Sequence, residues 1–281
     1  MYRREESVQN NKEEEFKLSI LSQRSKTVKE MPIDNIFVIY GDSGSGKTVL
    51  ASTFPKTPEK PMLYLDILEG GTGSIPVANQ DNIQVVEVNK FEELDEILTD
   101  VDNGYTLDDQ KNKVPVAYST IVFDSATQLE YLMKDYLMRS AGKEQMNLNL
   151  WGQAKTGHDQ IWNMCKYLQK KTQSHIVIIC HPKEVQDEKD PSFNKVIPSL
   201  MSSAAYGLCA KASFVWFTTV DKETTVDPKT NEVKEIKVFN TIIDSHPYLL
   251  TKCRKPPEVA IPEKVKNLSY AKFKKNVIDK L

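Results

Sequence analysis

The chain has no closely spaced cysteine pair, no apolar run long enough to cross a membrane, no excess of one charge and no internal repeat. Its four cysteines, Cys165, Cys180, Cys209 and Cys253, are far apart in sequence. That spacing excludes a disulfide framework and a zinc-ligand pattern, and it fits a reducing compartment. The opening MYRREESVQNNKEEEF places glutamates where a secretory signal needs an apolar stretch, and no segment approaches the ~18 apolar residues of a membrane span. A cytoplasmic protein with no membrane contact is expected. With 37 Lys and Arg against 39 Asp and Glu the formal net charge is −2, so no global positive charge announces a nucleic-acid partner. The asymmetry is local: over 251–281, nine Lys or Arg stand against three Asp or Glu. Such a stretch either meets phosphate or is a solvated helix face.

What is present describes an ordinary globular chain: 281 residues, 40% hydrophobic and 27% charged, enough for one large domain or two small ones. Residues 1–30 carry 13 charged side chains with little periodicity and are expected to form a flexible arm. A core over 31–255 and a basic tail with a closing Lys-rich helix over 256–281 complete the expected organisation. Apolar runs at 36–40, 120–124 and 176–180 have the pattern of strands buried on both faces, with further strands at 62–67 and 83–88. Helical patterns at 49–54, 91–101, 126–139 and 153–172 alternate with them, which predicts an α/β fold with a mainly parallel sheet covered on both faces. Residues 102–118 read as a surface excursion and 183–205 as a long polar loop. Strands at 214–220 and 236–244, joined through the turn-forming run 227–231, predict an antiparallel C-terminal hairpin at the sheet edge.

The chemistry concentrates at Gly41-Asp42-Ser43-Gly44-Ser45-Gly46-Lys47-Thr48, which fits GxxxxGK[ST] at every fixed position between a buried strand and a helix. The glycines let the backbone ring an anion with N–H groups, Lys47 reaches the β- and γ-phosphates, and the Thr48 hydroxyl is a ligand for Mg²⁺. Asp124 closes the strand Thr120-Ile121-Val122-Phe123-Asp124, the place of a Walker B carboxylate for the metal; Asp124 or Ser125 could also cap the following helix. Asn89-Lys90-Phe91-Glu92 is the nearest approach to the guanine-reading NKxD, but it has Glu for Asp and precedes the Asp124 strand, which argues against a GTPase. Glu69, just past the 62–67 strand, is a candidate to orient the attacking water, with Asp66 as the competing carboxylate. His181 ends the 176–180 strand, where it could sense the γ-phosphate or be bonded locally. His158, His175 and His246 lack ligand spacing and read as structural.

Taken with Trp151-Gly152 before a long helix, these motifs resemble the RecA-like P-loop ATPase core, and in particular the bacteriophage nucleotide-binding proteins and single-strand annealing ATPases of that superfamily. The resemblance covers roughly 32–255 and implies ATP and Mg²⁺ as cofactors. It also implies single-stranded DNA and single-strand binding protein as partners, a homo-oligomer, and the host bacterial cytoplasm. It further suggests Lys252 and Arg254 as basic fingers reaching a neighbouring subunit's site. The 183–205 loop, with Lys183, Lys189, Lys195 and Phe193, takes the position of a DNA-contacting loop. The expected activity is ATP hydrolysis coupled to single-stranded DNA in recombination or replication; the alternative is a nucleotide-switched loading or interaction module that does not bind DNA.

Overall fold

The computed structural model describes residues 34–70, 73–186, 194–226 and 233–280. The arm 1–30, the turn 227–231, Lys189 and Phe193 lie outside the described residues. Residues from Asp34 to Leu281 group into one compact unit.

Its centre is a mainly parallel sheet. β1 (Ile36–Gly41), β2 (Met62–Ile67), β3 (Ile83–Val88), β6 (Thr120–Asp124), β7 (His175–Cys180) and the start of β10 (Phe214–Val226) run side by side in the order β3-β2-β6-β7-β1-β10. All five of these contacts are parallel. Beyond β10 the sheet turns antiparallel through β11 (Val233–Ile242) and β13 (Lys264–Lys266), with β12 (Lys252–Cys253) also on β10. The expected α/β fold with its antiparallel hairpin is therefore present.

Alternation along β1 explains why both faces are covered. Ile36, Val38 and Tyr40 point into a core with Ile121, Phe123, Ile176 and Ile178. That core is packed by α2 (Phe91–Asn103), α3 (Ala126–Ser140), α4 (Leu148–Thr172) and α5 (Ser202–Lys211). Phe37 points the other way, into an aromatic cluster with Phe54, Phe214, Trp216 and Phe273. Period-two alternation of apolar side chains on both faces is what a doubly covered strand requires.

Helix starts follow local chemistry. Ser125 Oγ accepts from Gln128 N–H, Asn147 Oδ1 from Leu150 N–H, and Ser269 Oγ from Lys272 N–H, each satisfying an orphan amide at a helix start. The long helix consequently begins at Leu148, five residues earlier than periodicity suggests, and Trp151 and Gly152 lie inside it.

The surface excursion at 102–118 is present and contains a small hairpin of β4 (Tyr105–Leu107) and β5 (Lys113–Pro115), apart from the main sheet. Two expectations change. The span 183–205 holds a second hairpin, β8 (Pro182–Gln186) with β9 (Asn194–Pro198), followed by α5; Ile197 is fully buried in the core, and Val185 and Val196 pack against it. Residues 256–281 are not an appended tail: β13 extends the sheet, and α6 (Tyr270–Asn276) buries Phe273 completely against Phe214 and Trp216. Its lysines occupy the solvent face, while Tyr270 donates its backbone N–H to Thr53 Oγ1 and its hydroxyl lies 2.7 Å from His175 Nε2.

Candidate nucleotide site

The GxxxxGK[ST] loop leaves β1 at the carboxyl edge of the sheet and enters a short helix, α1 (Lys47–Ser52). Gly41 is dictated by proximity: a Cβ there would lie 2.2 Å from the Thr218 carbonyl oxygen on β10. Gly46 adopts φ 86° and would place a Cβ 2.9 Å from the Phe239 ring. Gly44, at φ 75°, supplies the other left-handed turn. The loop is further pinned by Ser45, whose hydroxyl lies 2.7 Å from that of Thr218. Asp42 and Ser43 form its exposed rim.

Lys47 is buried, not exposed as its phosphate role suggests. Its ammonium donates to the carbonyls of Gly41 and Asp42, 2.8 Å each. Burial lowers its pKa, opposed by the carboxylates of Asp124, Asp42 and Glu69. The ammonium thus closes the loop on itself and lies among the groups that would receive a triphosphate.

The sheet order brings the second half of the site to the same edge. β7 lies between β1 and β6, and across that gap Thr48 donates its hydroxyl to Asp124 Oδ2 at 2.9 Å. Ser125 performs the helix capping, which leaves the Asp124 carboxylate for this contact. Tyr64, on the neighbouring β2, also donates its hydroxyl to Asp124 Oδ2. Burial first and the Asp124 charge second raise the Tyr64 pKa, which keeps it a donor. A hydroxyl and a carboxylate meeting at one point form the oxygen donor set that suits Mg²⁺.

Asp66 pairs in register with Asp124 on adjacent parallel strands. It is buried, and neither carboxylate oxygen has a close hydrogen-bond partner among the described residues. Burial, then Asp124 and Glu69, raise its pKa; the backbone amides of Glu69 and Gly73 act less strongly in the opposite sense. Glu69 is half-buried two residues past the end of β2. The loop folds back there, so that a Cβ at Gly73 would lie 3.4 Å from both Asp66 Oδ2 and Glu69 Cβ.

His181 follows β7 directly, at the edge between the phosphate loop and Asp124. Its backbone is held on both sides: the N–H donates to Thr127 Oγ1 on α3 at 3.0 Å, and the carbonyl accepts from Ser199 N–H at 2.7 Å. Lys252 and Arg254 are placed differently. Both donate to the last carbonyls of α5, Lys252 to Cys209 and Ala210, Arg254 to Ala210. They cap a helix of their own chain, and burial together with Arg254 lowers the Lys252 pKa to about 8.

A family model described as an AAA domain matches residues 33–243, the segment that carries β1 to β11 and every carboxylate of the site. The chain belongs to this AAA-domain family. As a member of it, the protein has a P-loop ATPase fold and a site of the kind that binds nucleotide. Among solved structures, the flagellar accessory protein FlaH from Methanocaldococcus jannaschii is similar over 84% of this chain and 85% of that one, at 12% identity and a TM-score of 0.45. No curated protein sequence matches. Among the described residues, no helix is long and apolar enough to cross a membrane.

Sequence reasoning missed several parts of this AAA-domain site. Thr218 and Phe239 reach the phosphate loop from strands far away in sequence, Tyr64 reaches Asp124 from β2, and no motif marks any of the three. Nor does any signal mark Glu130, buried on α3. It accepts from Met201 N–H at 2.6 Å, lies 2.5 Å from the Lys134 ammonium and 3.0 Å from His158 Nε2. Burial would raise its pKa; these partners outweigh burial and hold it at about 2. His158 is thereby the structural histidine its spacing suggests.

Proposed function

We propose that the protein is a Mg²⁺-dependent ATPase whose hydrolysis is coupled to single-stranded DNA, in phage recombination or replication. The observation that carries the ATPase reading is the Thr48–Asp124 contact at 2.9 Å across the inserted strand β7. It joins the phosphate loop to a carboxylate on a third strand.

In this reading the loop amides and Lys47 bind the β- and γ-phosphates, and Thr48 and Asp124 would hold Mg²⁺, which when bound neutralises phosphate charge. Tyr64 fixes the orientation of Asp124 through its hydroxyl. Glu69 orients water for attack on the γ-phosphorus and accepts its proton as the bond to the β-phosphate oxygen breaks, giving ADP and phosphate. Asp66 suits that task less, because burial beside Asp124 favours its neutral form. His181 would register the γ-phosphate and pass its state to Thr127 and Ser199, the groups that hold its backbone.

Support for a DNA partner comes from a cavity of about 260 Å³ beyond His181, lined by Tyr131, Lys134, Trp151, Lys183 and Leu200. The Lys134 ammonium lies 4.8 Å from the Trp151 ring centre and 5.7 Å from that of Tyr131. Aromatic faces beside ammonium groups suit stacked bases and their phosphates. The test is anisotropy of a labelled oligonucleotide over a salt series with an ATP analogue present: saturable binding at low salt supports the reading, and its absence removes it.

A second reading, a nucleotide-switched module acting on a partner protein, draws on another observation. An open groove between α2, α3 and α4 is lined by Phe91, Leu94, Met133 and Leu148, with Leu148 90% exposed. An exposed apolar surface of this kind favours a protein partner.

A further inference from the structure

β10 continues past the level of the phosphate loop. β1 stops at Gly41, paired with Thr218, whereas β10 runs on to Val226 with only β11 beside it. The ribbon therefore stands above the loop on the side opposite β7. Alternation puts Thr218 and Val220 on one face of β10, and register puts Phe239 directly across from Val220. Thr218 identifies that face as the one turned to the loop, since its hydroxyl meets Ser45. Phe239 confirms it: its ring edge rests on Gly46, at the position a Cβ would fill.

Both apolar side chains remain 38% exposed although they adjoin the polar loop. Val49, which follows Thr48, is 48% exposed. Leaving an aromatic ring and two valines open beside an anion cradle forgoes apolar burial unless a ligand covers them.

The direction of a bound nucleotide follows from the carboxylates. Asp124, Asp66 and Glu69 lie at the β7, β6 and β2 side of the loop, so the terminal phosphate points there. The α-phosphate and the nucleoside must leave on the other side, towards β10 and β11. A flat aromatic base leaving the cradle in that direction meets the Phe239 ring and Val220.

Resting on the nucleotide reading above, we propose that Phe239, with Val220 beside it, is the nucleobase platform of this site, gripping a purine by stacking on its face. Phe239 is then a binding determinant for the nucleoside and not for the phosphates. A β-hairpin side chain would also make occupancy of the base pocket visible to the ribbon it belongs to.

The test separates the two halves of the ligand. Calorimetric titration in Mg²⁺ compares ATP with inorganic tripolyphosphate on the full chain, for wild type, Phe239→Leu and Phe239→Trp. Leucine retains packing against Gly46 but has no aromatic face. Phe239→Leu should weaken ATP about tenfold while tripolyphosphate stays within about twofold of wild type, and Phe239→Trp should restore ATP affinity. Unchanged ATP affinity in Phe239→Leu, or equal losses for ATP and tripolyphosphate, would overturn the platform and leave Phe239 as a prop for the loop. A wild type that binds neither ligand would overturn the nucleotide reading itself, and the platform with it.

Discussion

Asp66 and Asp124 stand side by side at the carboxyl ends of adjacent parallel strands, yet among the described residues it is Asp124 that accepts from side-chain hydroxyls. Asp124 accepts from Thr48 and Tyr64, whereas Asp66 is buried without a close partner among the described residues. Asp124 is placed to hold a cation, and burial, then the charges of Asp124 and Glu69, drive Asp66 towards its neutral form.

This difference has a pH signature. Asp66 has a raised pKa in the folded state, so the native protein binds a proton that the unfolded chain releases above about pH 4. Its contribution is most favourable at low pH and declines as pH rises from the unfolded pKa through the folded one. Asp66→Asn should raise the melting temperature at neutral pH and flatten the stability profile on that side. Thermal unfolding of both proteins between pH 4 and 8 checks it, and parallel profiles would count against a raised Asp66 pKa.

Glu130 has the opposite sign. Held at about 2, its ionised form is stabilised by His158, Lys134 and the Met201 amide. That contribution, roughly 3 kcal/mol, is present above pH ~4.3 and is lost as pH falls towards the folded value. Glu130→Gln should therefore destabilise at pH 7 and show a weaker acid transition, measurable by denaturant unfolding at pH 7 and pH 3.

The fold was legible because its signals are short-range. Five of the parallel strands are apolar runs, GxxxxGK[ST] fits every fixed position, and Asp124 closes a strand before a helix. What the sequence hides is long-range. Thr218 reaches Ser45 and Gly41 across 173 and 177 positions, and its own segment reads only as an edge strand. The 183–205 span looked like a loop because its two strands are five residues each, too short for a clear alternation, although Val185, Val196 and Ile197 meet the core. The C-terminal segment looked like a basic tail because its lysines outnumber the side chains, Tyr270 and Phe273, that tie its helix to the core.

That anchor is open to test. Phe273→Ala should cost about 3–5 kcal/mol, the range for removing a fully buried phenylalanine, while Lys274→Ala on the solvent face should be neutral within about 0.5 kcal/mol. Chemical denaturation of the two variants measures both.

Replacing Lys47 by Ala should abolish nucleotide binding and also loosen the loop, because its ammonium bridges the Gly41 and Asp42 carbonyls. Nucleotide titration beside a melting curve checks both effects. Retained affinity would remove the phosphate-loop assignment.

The carboxylates separate by kinetics. Glu69→Gln should keep ATP affinity and lower turnover about 100-fold, equivalent to roughly 2.7 kcal/mol of transition-state stabilisation. Asp124→Asn should instead weaken the dependence on Mg²⁺. Normal turnover in Glu69→Gln would move the water-orienting role to Asp66.

The most direct test of the whole account is phosphate release from ATP with Mg²⁺, measured with and without single-stranded oligonucleotide, for wild type and for Asp124→Asn. Hydrolysis by the wild type that rises with the oligonucleotide and disappears in Asp124→Asn is the predicted result. No hydrolysis would contradict the ATPase assignment, and hydrolysis indifferent to the oligonucleotide would contradict the DNA coupling in favour of the protein-directed switch.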